Sequence, residues 1–347
     1  MSTKVGINGF GRIGRMILRA WIEGQSSQSS FEIVAVNNPL KKGQTVEHFL
    51  HLLEYDSVHG RMKKTIEIEP DGFKIDGKKV KFYAEMDPSN IPWGNEKVEV
   101  VIDSTGIFKD KPGLGKHMSG SVKKVIMTAP GEGLDKTFVV GVNDKEYDHK
   151  NHHIVSNASC TTNCLAPLVK VLDENFGVEK GLVSTVHSYT NDQRVVDAEH
   201  EDLRRARAAG LSMIPTKTGA AKAIGEVMPH LKGKLDGFSI RVPTPDVSVV
   251  DACFIVKKPT SREEVNLALK AAATGSLKGI LAVVDKELVS IDFVGDNHSS
   301  SVDSKYTQVM EGTMVKVLSW YDNEWGYSCR VLDLTALISN HLNKERP

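Results

Sequence analysis

Short apolar runs alternate with amphipathic stretches along this chain, a pattern of strands and helices taken in turn. Val5-Gly6-Ile7-Asn8 predicts a buried strand, and Met16, Ile17, Leu18, Ala20 and Trp21 follow at helical spacing. A second strand is expected over 31–37. Residues 65–83 alternate in strand fashion, with Asp71-Gly72 and Asp76-Gly77 as turn signals. Residues 98–103, 123–127, 138–142 and 153–155 read as further strands. From Leu165, the residues Leu165, Leu168, Val169, Leu172 and Phe176 lie on one helical face, which Gly177 ends. Strands are then expected over 181–187, 238–243, 247–256, 288–293 and 314–321. Helices are expected to open at the hydroxyls of Thr218 and Ser261, and a last helix covers about 328–342. Residues 190–217 follow neither period.

At 347 residues the chain is long enough for two domains and a large core. Lys plus Arg equals Asp plus Glu at 44 each, so overall charge does not direct it to nucleic acid or an anionic membrane. Any anion site must be local. No apolar run approaches about 18 residues, and the N-terminus enters a strand instead of a signal sequence. A cytoplasmic location is expected. Four cysteines are too few for a disulfide framework, and no His or Cys pair completes a metal set around Cys160 and Cys164. No metal is expected.

Three features carry chemistry. Gly9-Phe10-Gly11-Arg12-Ile13-Gly14 stands between the first strand and the first helix. There the glycines permit a tight turn, close approach of a pyrophosphate and packing of helix on strand. This predicts a dinucleotide cofactor. Asn38, at the end of the second strand, takes the place of the acidic residue that binds the ribose 2′-OH of NAD and repels the 2′-phosphate of NADP. Lys41 and Lys42 lie just beyond, either within reach of a phosphate or on a solvated loop. Ser104-Thr105-Gly106 and Thr128 follow strands at their carboxyl ends, where open parallel sheets place ligands.

The second feature is Ser159-Cys160-Thr161, at the start of the helix that carries Leu165. Free amides and the positive end of the dipole there favour a thiolate. A lone cysteine is equally a small buried hydrophobe. The third is a set of polar groups at element ends. His187 closes a strand, as a structural residue or as a proton shuttle. Thr218-Gly219 opens an anion-ready helix. Arg241 in an apolar strand demands an anion, either a substrate phosphate or a structural carboxylate. The irregular stretch 190–217, with Arg204, Arg205 and Arg207, is functional, intersubunit or a solvated face.

Asn8-Gly9-Phe10-Gly11-Arg12-Ile13-Gly14-Arg15, Ser156-Asn157-Ala158-Ser159-Cys160-Thr161-Thr162-Asn163-Cys164, His187-Ser188-Tyr189-Thr190, Thr218-Gly219-Ala220-Ala221-Lys222 and 320–327 (WYDNEWGY) together resemble phosphorylating glyceraldehyde-3-phosphate dehydrogenases. The resemblance spans essentially the whole chain. It implies an α/β fold: a Rossmann domain over 1–159 and 323–347, completed by the C-terminal helix, and an α+β catalytic domain with a mixed sheet over 160–322. It implies that the Cys160 thiolate attacks glyceraldehyde 3-phosphate with His187 as base. The thioester left by hydride transfer to NAD or NADP is then cleaved by inorganic phosphate.

By the same resemblance Thr190, Asp192 and Arg241 line the substrate phosphate site. Ser159, Thr161, Arg207, Thr218 and Gly219 line the inorganic phosphate site. Gly9, Gly11, Arg12, Ile13, Gly14, Asn38, Ser104, Thr105, Gly106, Thr128, Asn323 and Tyr327 hold the cofactor, with Asn323 on the nicotinamide carboxamide. The loop around 190–213 reaches a neighbouring subunit of a homotetramer. NAD-preferring members carry Asp at the place of Asn38 and Leu-Pro at the place of Ala198-Glu199, so NADP is expected to be tolerated. Met86 replaces a common arginine near the adenine. The competing expectations are an erythrose-4-phosphate dehydrogenase, which hydrolyses its thioester, and a cofactor-binding protein without turnover.

Overall fold

The computed structural model describes residues 2–25 and 30–346. The chain forms two compact units. One contains Met1–Phe138, Asp144–Ala158 and Ser328–Pro347, the other Val139–Asn143 and Ser159–Tyr327.

In the first unit the strands are β1 (Thr3–Asn8), β2 (Phe31–Asn37), β3 (Tyr55–Asp56), β4 (Gly60–Arg61), β5 (Ile66–Glu69), β6 (Gly72–Ile75), β7 (Lys78–Tyr83), β8 (Val100–Asp103), β9 (Lys124–Met127), β10 (Lys136–Thr137) and β11 (Ile154–Ser156). The helices are α1 (Arg12–Ile22), α2 (Val46–Glu54) and α3 (Lys111–Gly115). Among the described residues, nine strands make one sheet in the order β10-β11-β9-β8-β1-β2-β7-β6-β5. From β10 to β7 every neighbouring pair is parallel. The run β11-β9-β8-β1-β2-β7 has the strand order of a Rossmann domain, whose chain reverses direction between β1 and β8. Ligands bind in the crevice outside that switch point, so the chain after Asn8 and after Asp103 is where a cofactor belongs.

Residues Val5, Ile7, Ile33, Val100, Val101, Ile102, Val125 and Ile126 are fully buried. Central parallel strands are covered on both faces, which is why these segments read as continuous apolar runs. The β6–β7 turn at Asp76-Gly77 has φ of 48° and 78°, both in the left-handed region that a two-residue hairpin needs. Between β5 and β6 the turn residues are Pro70-Asp71, one position earlier than the Asp71-Gly72 signal. The C-terminal helix returns to this sheet. Thr3 Oγ1 donates to Asn343 Oδ1 at 3.0 Å, and Asn343 Nδ2 donates to the Ser30 carbonyl at 2.7 Å.

In the second unit the strands are β12 (Val178–Ser188), β13 (Ile214–Lys217), β14 (Leu235–Val242), β15 (Ser248–Val256), β16 (Leu281–Val284), β17 (Ser300–Asp303), β18 (Gln308–Met310) and β19 (Met314–Tyr321). The helices are α4 (Cys160–Phe176), α5 (Ala220–Val227) and α6 (Arg262–Thr274), and α7 (Trp325–Lys344) starts here and continues into the first unit. The sheet is mixed: β12 runs parallel to β14 and antiparallel to β15, and β15 runs antiparallel to β19. Its apolar face packs on α4, whose Leu165, Leu168, Val169 and Leu172 are all fully buried. Ser261 and Glu264 form a reciprocal capping box at the start of α6.

Three expected elements differ. Residues 138–142 do not form a strand. Asn143 Oδ1 accepts the Val139 amide at 2.8 Å and Gly141 takes φ 85°, so a local side-chain bond turns the chain just after β10. Residues 288–293 hold a short 3-10 turn over Ser290–Phe293. Asp292 Oδ2 accepts the Val289 amide at 2.9 Å, and Val289 and Ile291 face solvent. The α5 cap is Gly219, and Thr218 Oγ1 accepts the Ala220 amide instead, at 3.2 Å.

Candidate active site

At the switch point of the first unit, the glycines are held by sterics. Gly9 has φ 90°, and a Cβ there would lie 2.7 Å from the Thr105 nitrogen. A Cβ on Gly14 would lie 2.1 Å from the Gly9 carbonyl oxygen. Gly11, the residue before α1, faces open space, and no side chain caps that helix start. A backbone cradle without Cβ atoms at an uncapped helix N-terminus fits a pyrophosphate.

The turn is braced from below: Ser104 Oγ donates to the Gly9 carbonyl at 2.5 Å, and Thr105 Oγ1 donates to Asp103 Oδ1 at 2.7 Å. Thr128, after β9, donates its amide to the Asp103 carbonyl, and Gly106 takes φ 68°. Asn38 Oδ1 accepts the Phe10 amide at 2.9 Å, so this side chain shapes the glycine loop as well as ending β2. Arg12 is committed elsewhere, because its guanidinium forms a forked ion pair with Asp56. Burial pushes the Asp56 carboxyl up, but the His59 and Val58 amides and Arg12 outweigh it and hold the group below its ordinary range. Ile13 is half-buried in the first turn of α1.

The second unit carries the thiol. Ala158 stands in left-handed backbone, φ 55°, so the chain turns sharply into α4. Ser159 caps the helix, its Oγ accepting the Thr162 amide at 3.0 Å. Cys160 is the first helical residue, and its Sγ lies 3.6 Å from His187 Nε2 at the end of β12. Burial pushes the Cys160 thiol up, while the Arg241 charge, the Thr161 hydroxyl and the Thr161 and Cys160 amides pull it down. Burial and then Arg241 push His187 down to about 3, with the Ser188 carbonyl opposing. Each shift penalises a lone charge in a dry site. Moving the proton from Sγ to Nε2 creates two opposite charges side by side, which offset one another.

Arg241 lies beside this pair, its Nη1 2.8 Å from His187 Nδ1 and 3.1 Å from the Ser188 carbonyl oxygen. Its Nε is buried without a hydrogen-bond partner. Among the described residues no carboxylate pairs with it, so the structural-carboxylate alternative has no candidate. Asp192 pairs with Arg205, Nη1 to Oδ2 2.5 Å, and lies 3.4 Å from His200 Nε2. Arg205 also donates from Nε to Thr216 Oγ1 at 2.9 Å, and its charge acts on both His187 and Arg241. Thr190 is half-buried and donates its amide to Gln193.

Arg207 is largely exposed, pairs with Asp197 at 2.9 Å and takes no part in this network, whereas Arg205 turns into it. A run of arginines in a stretch with no period does not show which one turns inward.

Two further groups went unassigned in the sequence. Tyr321 Oη shares hydrogen bonds with Thr161 Oγ1 at 2.8 Å and Thr185 Oγ1 at 2.9 Å, which fixes the hydroxyl next to Cys160. Its signal was the strand period of β19, where Val315, Val317, Ser319 and Tyr321 point inward. Ser188 and Ser248 both donate hydroxyls to Asn323 Oδ1, at 2.8 and 2.7 Å. With Oδ1 saturated, Nδ2 is the free end of this amide. Tyr327 is buried in the first turn of α7.

The comparisons agree with this geometry. Residues 3–111 match the family described as glyceraldehyde 3-phosphate dehydrogenase, NAD binding domain, and residues 159–323 match its C-terminal domain. Glyceraldehyde-3-phosphate dehydrogenase 1 of Bacillus cereus is 54% identical over 97% of this chain and 99% of that protein. The enzyme of Geobacillus stearothermophilus is 53% identical over 98% and 99%, and the chloroplastic B enzyme of Pisum sativum is 53% identical over 97% and 74%. With an NAD-binding unit and a thiol set against a histidine, the chain belongs to the glyceraldehyde-3-phosphate dehydrogenase family of NAD-binding oxidoreductases.

Proposed function

We propose that Cys160 is the nucleophile and His187 the base that oxidise the aldehyde of glyceraldehyde 3-phosphate. The observation that carries this reading is the 3.6 Å contact of Sγ with Nε2 at the N-terminus of α4. Nε2 takes the thiol proton as sulfur bonds to the aldehyde carbon, and the Cys160 and Thr161 amides stabilise the negative charge that develops on sulfur and oxygen. Nε2 returns that proton to the oxyanion, giving the hemithioacetal hydroxyl, and takes it back as hydride leaves the carbon. The nicotinamide of the bound cofactor supplies the hydride acceptor. Inorganic phosphate attacks the resulting thioester, and the imidazolium returns its proton to the leaving sulfur.

Two anion subsites complete the reading. Arg241, Thr190 and Asp192, the last paired with Arg205, take the substrate phosphate. Ser159, Thr161, Thr218 and Gly219 take inorganic phosphate, with Arg205 in the place expected of Arg207. Asn323 offers Nδ2 to the carboxamide oxygen of the nicotinamide. The glycine loop, Ser104–Gly106, Thr128 and Tyr327 serve the rest of the cofactor. Asn38 adds no charge, so NADP is accepted alongside NAD.

The exposed apolar residues of the 189–213 loop support a homotetramer: Val195, Val196, Leu203, Leu211 and Met213 are 70–88% exposed. Sedimentation of the purified protein checks this. Four cysteines, none of them in a disulfide among the described residues, fit a cytoplasmic location, checked by cell fractionation. Turnover with glyceraldehyde 3-phosphate that requires inorganic phosphate supports the whole reading, and phosphate-independent turnover sinks it in favour of a hydrolytic relative.

A further inference from the structure

A buried polar chain runs beneath the glycine turn of the first unit. The Glu85 backbone amide donates to Asn37 Oδ1 at 2.8 Å, which turns Asn37 Nδ2 toward Asn8 Oδ1, also at 2.8 Å, and toward the Glu85 carbonyl at 3.0 Å. Asn8 Nδ2 is thereby aimed at Asp103 Oδ2, 2.8 Å away. From the other end, Trp93 Nε1 lies 3.2 Å from His117 Nδ1, and an indole nitrogen only donates. Nδ1 therefore accepts, the imidazole proton sits on Nε2, and Nε2 donates to Asp103 Oδ2 at 3.2 Å. Both ends are set by hydrogens that cannot move, a backbone amide and an indole. Turning any amide or ring between them would set donor against donor.

The two arms meet at Asp103. Its Oδ2 takes Asn8 and His117, and its Oδ1 takes the Thr105 amide at 3.1 Å and the Thr105 hydroxyl at 2.7 Å. Four neutral donors thus compensate a carboxylate that is 1% exposed. The Thr105 nitrogen is the atom that a Cβ on Gly9 would meet at 2.7 Å, so its position sets one wall of the glycine turn. At the far end the chain fixes the backbone beside Met86.

We propose that His117, fully buried in the turn after α3, is a positioning residue of the cofactor site. Through Asp103 it holds Thr105 against the glycine turn, and through Asp103, Asn8 and Asn37 that turn is tied to the backbone at Glu85. The proposal rests on the reading of the switch point as the cofactor site.

The ring also packs against Trp93 and Phe108, with centroids 6.1 and 6.5 Å apart, so a purely structural role is the competing account. The two roles use different nitrogens. Satisfying the Trp93 N–H belongs to Nδ1 and to core stability. Holding Asp103 belongs to Nε2 and to the cofactor turn.

The nitrogens can be replaced one at a time. Asparagine places an acceptor near Nδ1 for Trp93 but falls short of Asp103. Glutamine extends to the place of Nε2 and can donate to Asp103, but leaves the Trp93 N–H without its acceptor. NAD titration of protein fluorescence reads binding, urea denaturation reads stability, and steady-state kinetics separate KM from kcat. His117→Gln should bind NAD within about twofold of the parent even where its stability falls. His117→Asn should bind NAD about tenfold more weakly, the loss of one hydrogen bond to a charged group, with the change in KM for NAD and not in kcat.

Equal affinities in the two variants, or the reverse order, overturn the proposal whatever their stabilities. Absence of saturable NAD binding by the parent overturns the cofactor reading instead. If His117→Asn does not fold, Asp103→Asn replaces it. Whichever way that amide turns, its N–H₂ meets either the Thr105 amide or the N–H groups of Asn8 and His117. NAD binding at least about tenfold weaker is then expected, and unchanged binding overturns the proposal.

Discussion

Ser248 Oγ donates to Asn323 Oδ1 at 2.7 Å, and Ser188 saturates the same oxygen from the other side. These two bonds hold Oδ1 and leave Nδ2 as the end that the proposed nicotinamide contact would use. Removing one hydroxyl lets the amide rotate. In Ser248→Ala the KM for NAD is expected to rise and kcat to fall, together costing about tenfold in kcat/KM, roughly one charge-free hydrogen bond. Steady-state kinetics check it. An unchanged kcat/KM would show that the serines do not orient Asn323.

Gly14 tolerates no side chain, because a Cβ would sit 2.1 Å from the Gly9 carbonyl oxygen. Both the helix and the loop would have to move. Gly14→Ala should lose about 3 kcal/mol or more of stability and bind NAD at least about tenfold more weakly. Urea denaturation and cofactor titration by fluorescence measure both effects.

Asn38 bonds the Phe10 amide through Oδ1, and an aspartate at this position can keep that bond while adding a charge. Asn38→Asp therefore leaves the loop intact and changes only the discrimination. The parent is expected to use NADP as well as NAD. The variant should use NAD as before and NADP at least about tenfold less efficiently. A parent already strict for NAD would refute the cofactor reading.

His187 is pushed down to about 3 by burial and Arg241. Its unfolded value is ordinary, about 6.5, so between these values the unfolded chain binds a proton that the native state does not. Stability from this site is therefore present at neutral pH and is lost as pH falls through about 6.5 towards 3. Relative to His187→Asn, the parent should lose about 2 kcal/mol between about pH 7 and 5, read from urea midpoints. A relative gain in that interval would show that the resting enzyme holds a thiolate–imidazolium pair instead. At neutral pH the same variant should lower kcat by about 10²–10⁴-fold.

Much of the fold was legible because packing and local signals agreed. The stripe from Leu165 to Phe176 predicts the buried face of α4, Ser261 with Glu264 marks the start of α6, and Asp76-Gly77 marks a hairpin. Sequence signals misled where one short side chain redirected the backbone. Asn143 and Asp292 each capture an amide and turn an apolar stretch that otherwise reads as a strand.

The thiol and its histidine were visible as element ends, but not their approach, which depends on β12 lying beside β14 and α4 packing on the same sheet. That Arg205 and not Arg207 turns toward Arg241 has the same origin. Asp192 and Thr216 select Arg205 through contacts made across an irregular loop, which no periodicity encodes.

The most direct measurement is a rapid-mixing experiment with glyceraldehyde 3-phosphate and NAD in the absence of inorganic phosphate. Cys160 as the acyl-carrying nucleophile predicts a single burst of reduced cofactor, one equivalent per subunit, with the acyl group trapped on Cys160 in the quenched protein. Steady turnover should begin only when phosphate is added. Continuous reduction without phosphate, or the same burst from Cys160→Ser, would contradict it.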